Sequence, residues 1–437
     1  MLTLDVKKTL PWILFLIFFA VLNETVFGVS TPAIQAEFAL SSTGVSWMTT
    51  MFILFFGVGT IIYGRLSDLF SIRRLLGFGV ILYAVGSAFG FAFQGNYATV
   101  LVGRALQGAG GSALPALVMV IVARYFAPEV RGQLFGSIGS VISFAAGIGP
   151  VIGGFVTSQM HWGWLFLIPL LTLVAFPFLM KVLPQEATKP GKLDFVGAGV
   201  LTLGLTAIIL WLTYPDWYWL VAGLVLLAGF VARILTAREP FIDPKLFSIR
   251  PFRAGVITTF VLFGAFIGLN FLLPLMLHRV NGLDSQGIGL VLFPGAICGV
   301  FFGPFSGRMA DRVGNHRVMV IGIALLGTSL LLSPLVLGYP VWVLSALLVF
   351  LFTGLTFFNT GVINGVSNTL PETETGVGMG VFNLAGFLAG AVGGAIVGRV
   401  LDAKALSDGG ILLVVGIIVT AIGLWYIIAV RKRPVAV

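Results

Sequence analysis

Fourteen apolar stretches of spanning length recur along the chain, at 12–33, 44–64, 75–94, 97–123, 133–157, 162–183, 195–214, 217–236, 252–276, 286–307, 317–336, 341–364, 376–398 and 411–430. Each is about the twenty residues that a helix needs to cross the hydrocarbon of a bilayer, and none alternates polar and apolar residues as a membrane barrel strand does. The pattern predicts an all-α membrane protein of about 14 transmembrane helices. The polar interruptions are far too short to hold a nucleotide-binding domain, and no G-x-x-x-x-G-K-[ST] run occurs in them. Any transport has to be driven by a gradient.

Composition agrees with this pattern. Of the 437 residues 58% are hydrophobic and only 9% charged, with a mean hydropathy of +1.07, whereas a soluble domain carries about 25% charged residues. The net charge of +9 has to be judged by where the cations fall. An even number of spans puts both termini on one side. With that side inside, the cytoplasmic segments collect most cations, from Lys7 and Lys8 through Arg73, Arg74, Arg124, Lys181 and Arg312 to Arg431, Lys432 and Arg433. The outside keeps Arg279, Arg399 and Lys404. The asymmetry predicts a multi-pass protein of a bacterial-type cytoplasmic membrane with both termini cytoplasmic, and it explains the basic balance without nucleic acid. Lys7 and Lys8 before an apolar run look like a signal peptide, but no small-residue cleavage site follows, so a retained first helix is expected. Cys298, the single cysteine, rules out an internal disulfide. His161, His278 and His316 are too scattered for a metal site.

A repeat divides the chain. The loop after span two reads GRLSDLFSIRR, Gly64 to Arg74, and the loop after span ten reads GRMADRVGNHR, Gly307 to Arg317. Both occupy the same place in a unit of six spans, which predicts a six-helix bundle over 1–183, two additional central helices with linkers over 184–250, and a second six-helix bundle over 251–437. Parallel six-helix repeats place a substrate site between the halves, near the membrane midplane.

Polar residues inside the spans are the candidate chemistry. Asn23 and Glu24 sit near the middle of span one. A charge at the bilayer centre costs roughly 2.5 kcal/mol or more and marks an ion or proton path, although a purely structural pairing with an arginine is the plainer alternative. Span four contributes Arg104 and Gln107 on one helical face, beside Gly108, Gly110, Gly111 and Ser112, which permit close helix approach. Glu24 is the deep carboxylate available to Arg104, so the two are expected to pair directly or through water, and their separation would act as a proton-binding switch. Gly149, Pro150, Gly153 and Gly154 in GIGPVIGG predict a bent, closely packed span five. Phe144, Asn270, Asn359, Asn364 and Asn383 complete a mostly apolar candidate pocket, although an intramembrane Asn also serves as interhelical glue.

At these residues the chain resembles the major facilitator superfamily. Gly64, Leu66, Asp68, Arg73 and Arg74 match its signature loop, and Gly307, Ala310, Asp311, Arg312 and Gly314 match the second copy more closely. Leu69 and Ser71 depart from it, standing where the family has a basic residue and a glycine. The resemblance implies that Asp68 and Asp311, with Arg73 and Arg312, latch a gate, that R-x-x-Q-G at Arg104 couples protons, and that GIGPVIGG marks an exporter. Fourteen spans with these motifs are similar to the drug:proton antiporters. VLNETVFGVSTPAI, SVISFAAGIGPVIGG and HWGWLFLIPL resemble the tetracycline-resistance efflux proteins of classes L and K. Those proteins carry further acids where this chain has Ala146 and Gly390, which points away from a metal-chelated drug.

The expectation is a proton-coupled antiporter, not an enzyme, exporting small amphipathic or lipophilic drugs by alternating access. It would use no cofactor but the proton gradient, and its partners would be substrate, protons and lipid, with the chain acting as a monomer. The rivals are a facilitator of a metabolite or lipid-like compound and, with no constellation of catalytic side chains to support it, a membrane-embedded enzyme or receptor.

Overall fold

A computed structural model describes residues 5–126, 128–184, 194–236, 244–370 and 375–431; within these ranges some side chains, those of Asp68 and Asp311 among them, lie outside the description. Most of the predicted links at 184–194 and 237–250 also fall outside it. The helices are α1 Val6–Val26, α2 Thr31–Glu37, α3 Ser42–Leu69, α4 Ile72–Ala92, α5 Tyr97–Gly111, α6 Ala113–Tyr125, α7 Pro128–Gln159, α8 Thr172–Val182, α9 Phe195–Thr213, α10 Trp217–Thr236, α11 Arg250–Asn281, α12 Ser285–Val313, α13 Asn315–Leu332, α14 Val341–Ser367, α15 Thr375–Asp402 and α16 Asp408–Arg431. Among the described residues they build 14 spans long and apolar enough to cross a membrane, so the fold is the expected all-α bundle.

Four spans are not single α-helices. Span one breaks after Val26 into a 3-10 turn, Gly28–Ser30, before α2. Pro32 has no N–H to return to Gly28, and Thr31 Oγ1 donates to the Gly28 carbonyl at 2.7 Å in its place. Span four divides at Ser112, three residues before Pro115, into α5 and α6. Span six opens as a 3-10 helix over Trp162–Leu171 containing Pro169, and span eleven closes as one over Ser333–Val336 containing Pro334. By contrast, α7 runs unbroken through Pro150.

The two repeat loops turn differently. Gly314, which ends α12, has φ +87°, a left-handed backbone that favours glycine. In the first copy Phe70 and Ser71 make the turn with φ −117° and −58°, which any residue adopts, so Ser71 can stand where the second copy needs glycine.

Two seams join the first six spans to the last six, α3 against α15 and α7 against α12. Both are lined by small residues at helical spacing. Along the first, Gly398 meets Thr43, Gly390 lies against Ile53, and Gly57 lies against Phe387, while Thr50 Oγ1 donates to the Ala391 carbonyl at 3.3 Å. Gly64, further along α3, has open space where a side chain would project. On the second seam Gly154 packs on Ser285, Gly289 on Pro150 and Gly147 on Ala296, whereas Gly139 and Gly307 again face open space. Among the described residues the seams are therefore closely packed at the end bearing Ser42 and Asp402 and parted at the end bearing Arg308 and Arg312. The central pair α9 and α10 pack on each other, and α9 rests on α3 and α15, where Trp47 Nε1 donates to Thr213 Oγ1 at 2.9 Å.

Candidate functional site

The break in span one comes within one turn of Asn23, Glu24 and Thr25, after Val26. A helix interrupted at membrane depth frees backbone groups and is tolerated where protein or a watery cavity surrounds it. Here the interruption is held by α7. Gly149 lies against Thr25 and Gly153 against the Val26 backbone, so closely that a side chain at either position would collide with α1. The residues predicted to bend α7 thus pack α1 on one face, while Pro150 and Gly154 pack α12 on another.

Arg104 and Gln107, one turn apart on α5, are buried, with Arg104 only 1% exposed. The guanidinium is held by two hydrogen bonds and two rings. Nε donates to the Met48 carbonyl at 3.2 Å and Nη1 to Gln107 Oε1 at 3.0 Å. Gln107 Nε2 donates to Ser87 Oγ at 2.9 Å, and Ser87 Oγ donates to the Tyr83 carbonyl at 2.8 Å. The rings of Phe27 and Phe52 lie on the cation, each with its centroid 4.3 Å away. An arginine between two aromatic faces gains cation–π stabilisation that grows as water is excluded.

The expected direct pairing of Glu24 with Arg104 is absent in this conformation. No carboxylate oxygen among the described residues lies within 4.0 Å of an Arg104 nitrogen. Glu24 is half-buried and, among the described residues, accepts no hydrogen bond. Asn23 is fully buried beside the Tyr83 hydroxyl, yet neither polar atom of its amide meets hydrogen-bond geometry with a described residue. Tyr83 donates to the Phe19 carbonyl at 3.4 Å.

The remaining predicted pocket residues are more dispersed. Phe144 is 43% exposed on α7 and stacks on Phe18 with centroids 5.9 Å apart. Asn383 is exposed one turn before Phe387, on the α15 face that meets α3, at the point where the seam parts. Asn359 is half-buried on α14. Asn270 donates back to the Phe266 carbonyl of its own helix at 2.9 Å, and Asn364 donates to Asn315 Oδ1 on α13 at 3.3 Å, a tie between helices. A small cleft lined by Leu262, Phe266, Leu269, Leu326, Leu351 and Val419 lies among α11, α13, α14 and α16 and offers no polar group.

At the parted end, Arg73 is half-buried at the start of α4 and Arg312 is exposed. Arg124 Nη1 donates to the Ser67 carbonyl at 2.8 Å, tying span four to the first signature loop. Of the functional neighbours, Tyr83, Ser87, Phe27, Phe52 and Met48 carried no sequence signal, because each reads as ordinary apolar-span residue until the helices are packed.

The sequence model of the Major Facilitator Superfamily matches residues 13–394. The lincomycin resistance protein LmrB of Listeria monocytogenes serovar 1/2a is 27% identical over 399 residues, covering 88% of this chain and 84% of that protein. An uncharacterized MFS-type transporter of Bacillus subtilis strain 168, YhcA, is 28% identical over 398 residues, covering 87% and 74%. Among solved structures, the human organic anion transporter MFSD10 (TETRAN) aligns over 98% of this chain and 100% of its own at 16% identity and a TM-score of 0.67. The POT family transporter PepTSo aligns over 97% and 98% at 14% identity and a TM-score of 0.72. At such identities these two structures speak for the fold alone.

Proposed function

The chain belongs to the Major Facilitator Superfamily, and from that premise we propose that it is a proton-coupled antiporter exporting small amphipathic or lipophilic compounds across the cytoplasmic membrane by alternating access. The observation that carries the reading is Glu24. It is a half-buried carboxylate at a broken span, and among the described residues it has no hydrogen bond. The nearby cation among the described residues, Arg104, donates instead to Met48 and Gln107. A carboxylate held at membrane depth without a fixed partner is suited to take up a proton or a cationic group and give it back. Arg104 keeps the surroundings electropositive without quenching that acid.

Four features support the finer points. The seams part at the arginine-rich end, which the distribution of cations makes cytoplasmic, so cargo would enter from the cell interior. The parted region exposes Phe144 and Asn383, an apolar surface with few polar groups. A side chain at Gly390 would press on Ile267, and Ala146 is apolar, so neither position offers the second acid that a metal-chelated cargo would want. The relative named for lincomycin resistance supports a drug-like cargo. Lincomycin, tetracycline and a quaternary ammonium dye form the panel to assay.

The test is substrate-evoked proton movement in oriented proteoliposomes. Glu24→Gln mimics the protonated acid permanently, so the variant should bind neutral cargo yet release no protons. Proton release from Glu24→Gln at the parent rate would sink the coupling role.

A further inference from the structure

Asp402, the last residue of α15, reaches across the seam to the start of α3. Ser42 N donates to its Oδ1 and Thr43 N to its Oδ2, each at 2.7 Å. A helix start leaves its first N–H groups without intrahelical partners, and a carboxylate placed there also meets the positive end of the helix dipole. Yet α3 already has its own cap, Ser41 Oγ accepting from Gly44 N at 2.9 Å. Asp402 is an additional acceptor, delivered from 360 residues away in sequence.

We infer that Asp402 is a gating residue, a two-pronged latch that holds this end of the bundle shut and releases when the bundle opens there. Three observations carry the inference. First, the latch crosses the boundary between the first six spans and the last six. By contrast, the ion pair of Arg279 Nη2 with Asp408 Oδ1 at 2.7 Å joins α11 to α16 within the last six and has no such leverage. Second, the seam is shaped to let the carboxylate reach. A Cβ on Gly398, one turn before Asp402 on the same face, would lie 2.9 Å from Thr43 Cα and 3.1 Å from the Ser42 carbonyl, so only glycine allows the helices this close. Third, the latch sits at the closed end of both seams, opposite the end where Gly64 and Gly139 face open space.

The chemistry suits a gate better than a permanent bond. Charge-assisted hydrogen bonds are the strong ones, but a carboxylate and two helix N–H groups at the membrane edge can exchange each other for water when the helices part. The latch is indifferent to the direction of cargo and to the identity of the coupling acid.

The test reads sidedness rather than transport. In a Cys298→Ser background, Ile53→Cys places a reporter on the closed seam, where Ile53 is 2% exposed and faces Gly390. A membrane-impermeant maleimide is added from the Asp402 side. Asp402→Ala should raise the labelling rate roughly tenfold, the loss expected for hydrogen bonds to a charged group. Asp402→Asn, which keeps an acceptor but no charge, should raise it less. Ser42→Pro attacks the latch from the other side. Proline is well tolerated at the first position of a helix and removes one of the two donors, so it should also speed labelling while leaving α3 intact. As the closed-end reporter opens, a Gly139→Cys reporter at the parted end should label more slowly from its own side, because the populations are linked. Parent labelling rates in both Asp402→Ala and Ser42→Pro, in protein that stays monodisperse in detergent, would overturn the latch. Should labelling rise while Glu24→Gln still moves protons, the latch stands and the coupling role of Glu24 falls.

Discussion

Arg104 Nη1 donates to Gln107 Oε1 at 3.0 Å, and this bond, rather than an ion pair with Glu24, fixes the guanidinium between Phe27 and Phe52. The arrangement separates two tasks. Arg104 is held in place by two hydrogen bonds and two rings, so its charge is a fixed field source. Under the proposed coupling, Glu24 is the group that changes its occupant. A buried cation needs compensation from whatever surrounds it, and here carbonyl, amide and two ring faces provide it.

Arg104→Lys therefore should not be conservative. An ammonium keeps the charge but cannot reach Met48 and Gln107 at once or stack as a plane between two rings. Losing one such hydrogen bond to a charged group corresponds to about 1.5–3 kcal/mol, or on the order of tenfold and more in the affected equilibrium. Substrate-driven proton flux in proteoliposomes should fall by at least that factor, while the yield of folded protein stays near that of the parent. Parent-level flux in Arg104→Lys would show that charge alone suffices.

Much of the fold was legible because it depends on single-residue properties summed over a window. Span length and hydropathy gave the helices, although they missed the breaks at 27–30 and 112 that Gly28, Pro32 and Pro115 encode, because an apolar count ignores backbone donors. The intrusion of Glu24 and Arg104 was legible because both residues are costly in lipid. Their relation was not. Choosing Glu24 as Arg104's partner by elimination of other acids overlooked neutral partners, which a one-dimensional reading has no way to place beside a cation. Asp402 was illegible for the opposite reason: an acid at a helix end reads as solvated until α3 is packed against α15.

Close packing of α1 on α7 should be sensitive to one added methyl group or two. Gly149→Val would drive its side chain into Thr25, and overpacking of this kind costs about 1–3 kcal/mol. Thermal unfolding of the detergent-solubilised protein should move down by several degrees. Gly139→Ala, projecting into open space, should stay within about 0.5 kcal/mol of the parent. If the two variants melt together, the tight α1–α7 contact is not a stability determinant.

The orientation has its own check. Cysteines introduced singly at Ala187 and Pro434 in the Cys298→Ser background should react only from the cytoplasmic side, and those at Asp284 and Ser407 only from outside. Labelling of positions 187 and 284 from the same face would break both the span count and the assignment of the parted end to the cytoplasm.

Asn23 offers the sharpest separation of stability from function. Its amide is fully buried, and both polar atoms lack a hydrogen-bond partner among the described residues. A buried amide left in that state costs about 1–3 kcal/mol, whereas an apolar group of similar shape costs nothing for its polarity. Asn23→Leu should accordingly raise the unfolding temperature. Such a cost persists in a native protein where the group is needed in another state. Asn23 adjoins Glu24 and lies next to the Tyr83 hydroxyl, so it is placed to accept or donate once Glu24 changes its occupant or α1 shifts at the break. Transport in Asn23→Leu should then fall even as the protein becomes harder to unfold. Asn23→Asp, which adds a second acid beside Glu24, should both destabilise and disrupt coupling, since two neighbouring carboxylates resist ionising together. A stabilised Asn23→Leu that transports at the parent rate would make the amide a tolerated defect and remove it from the site.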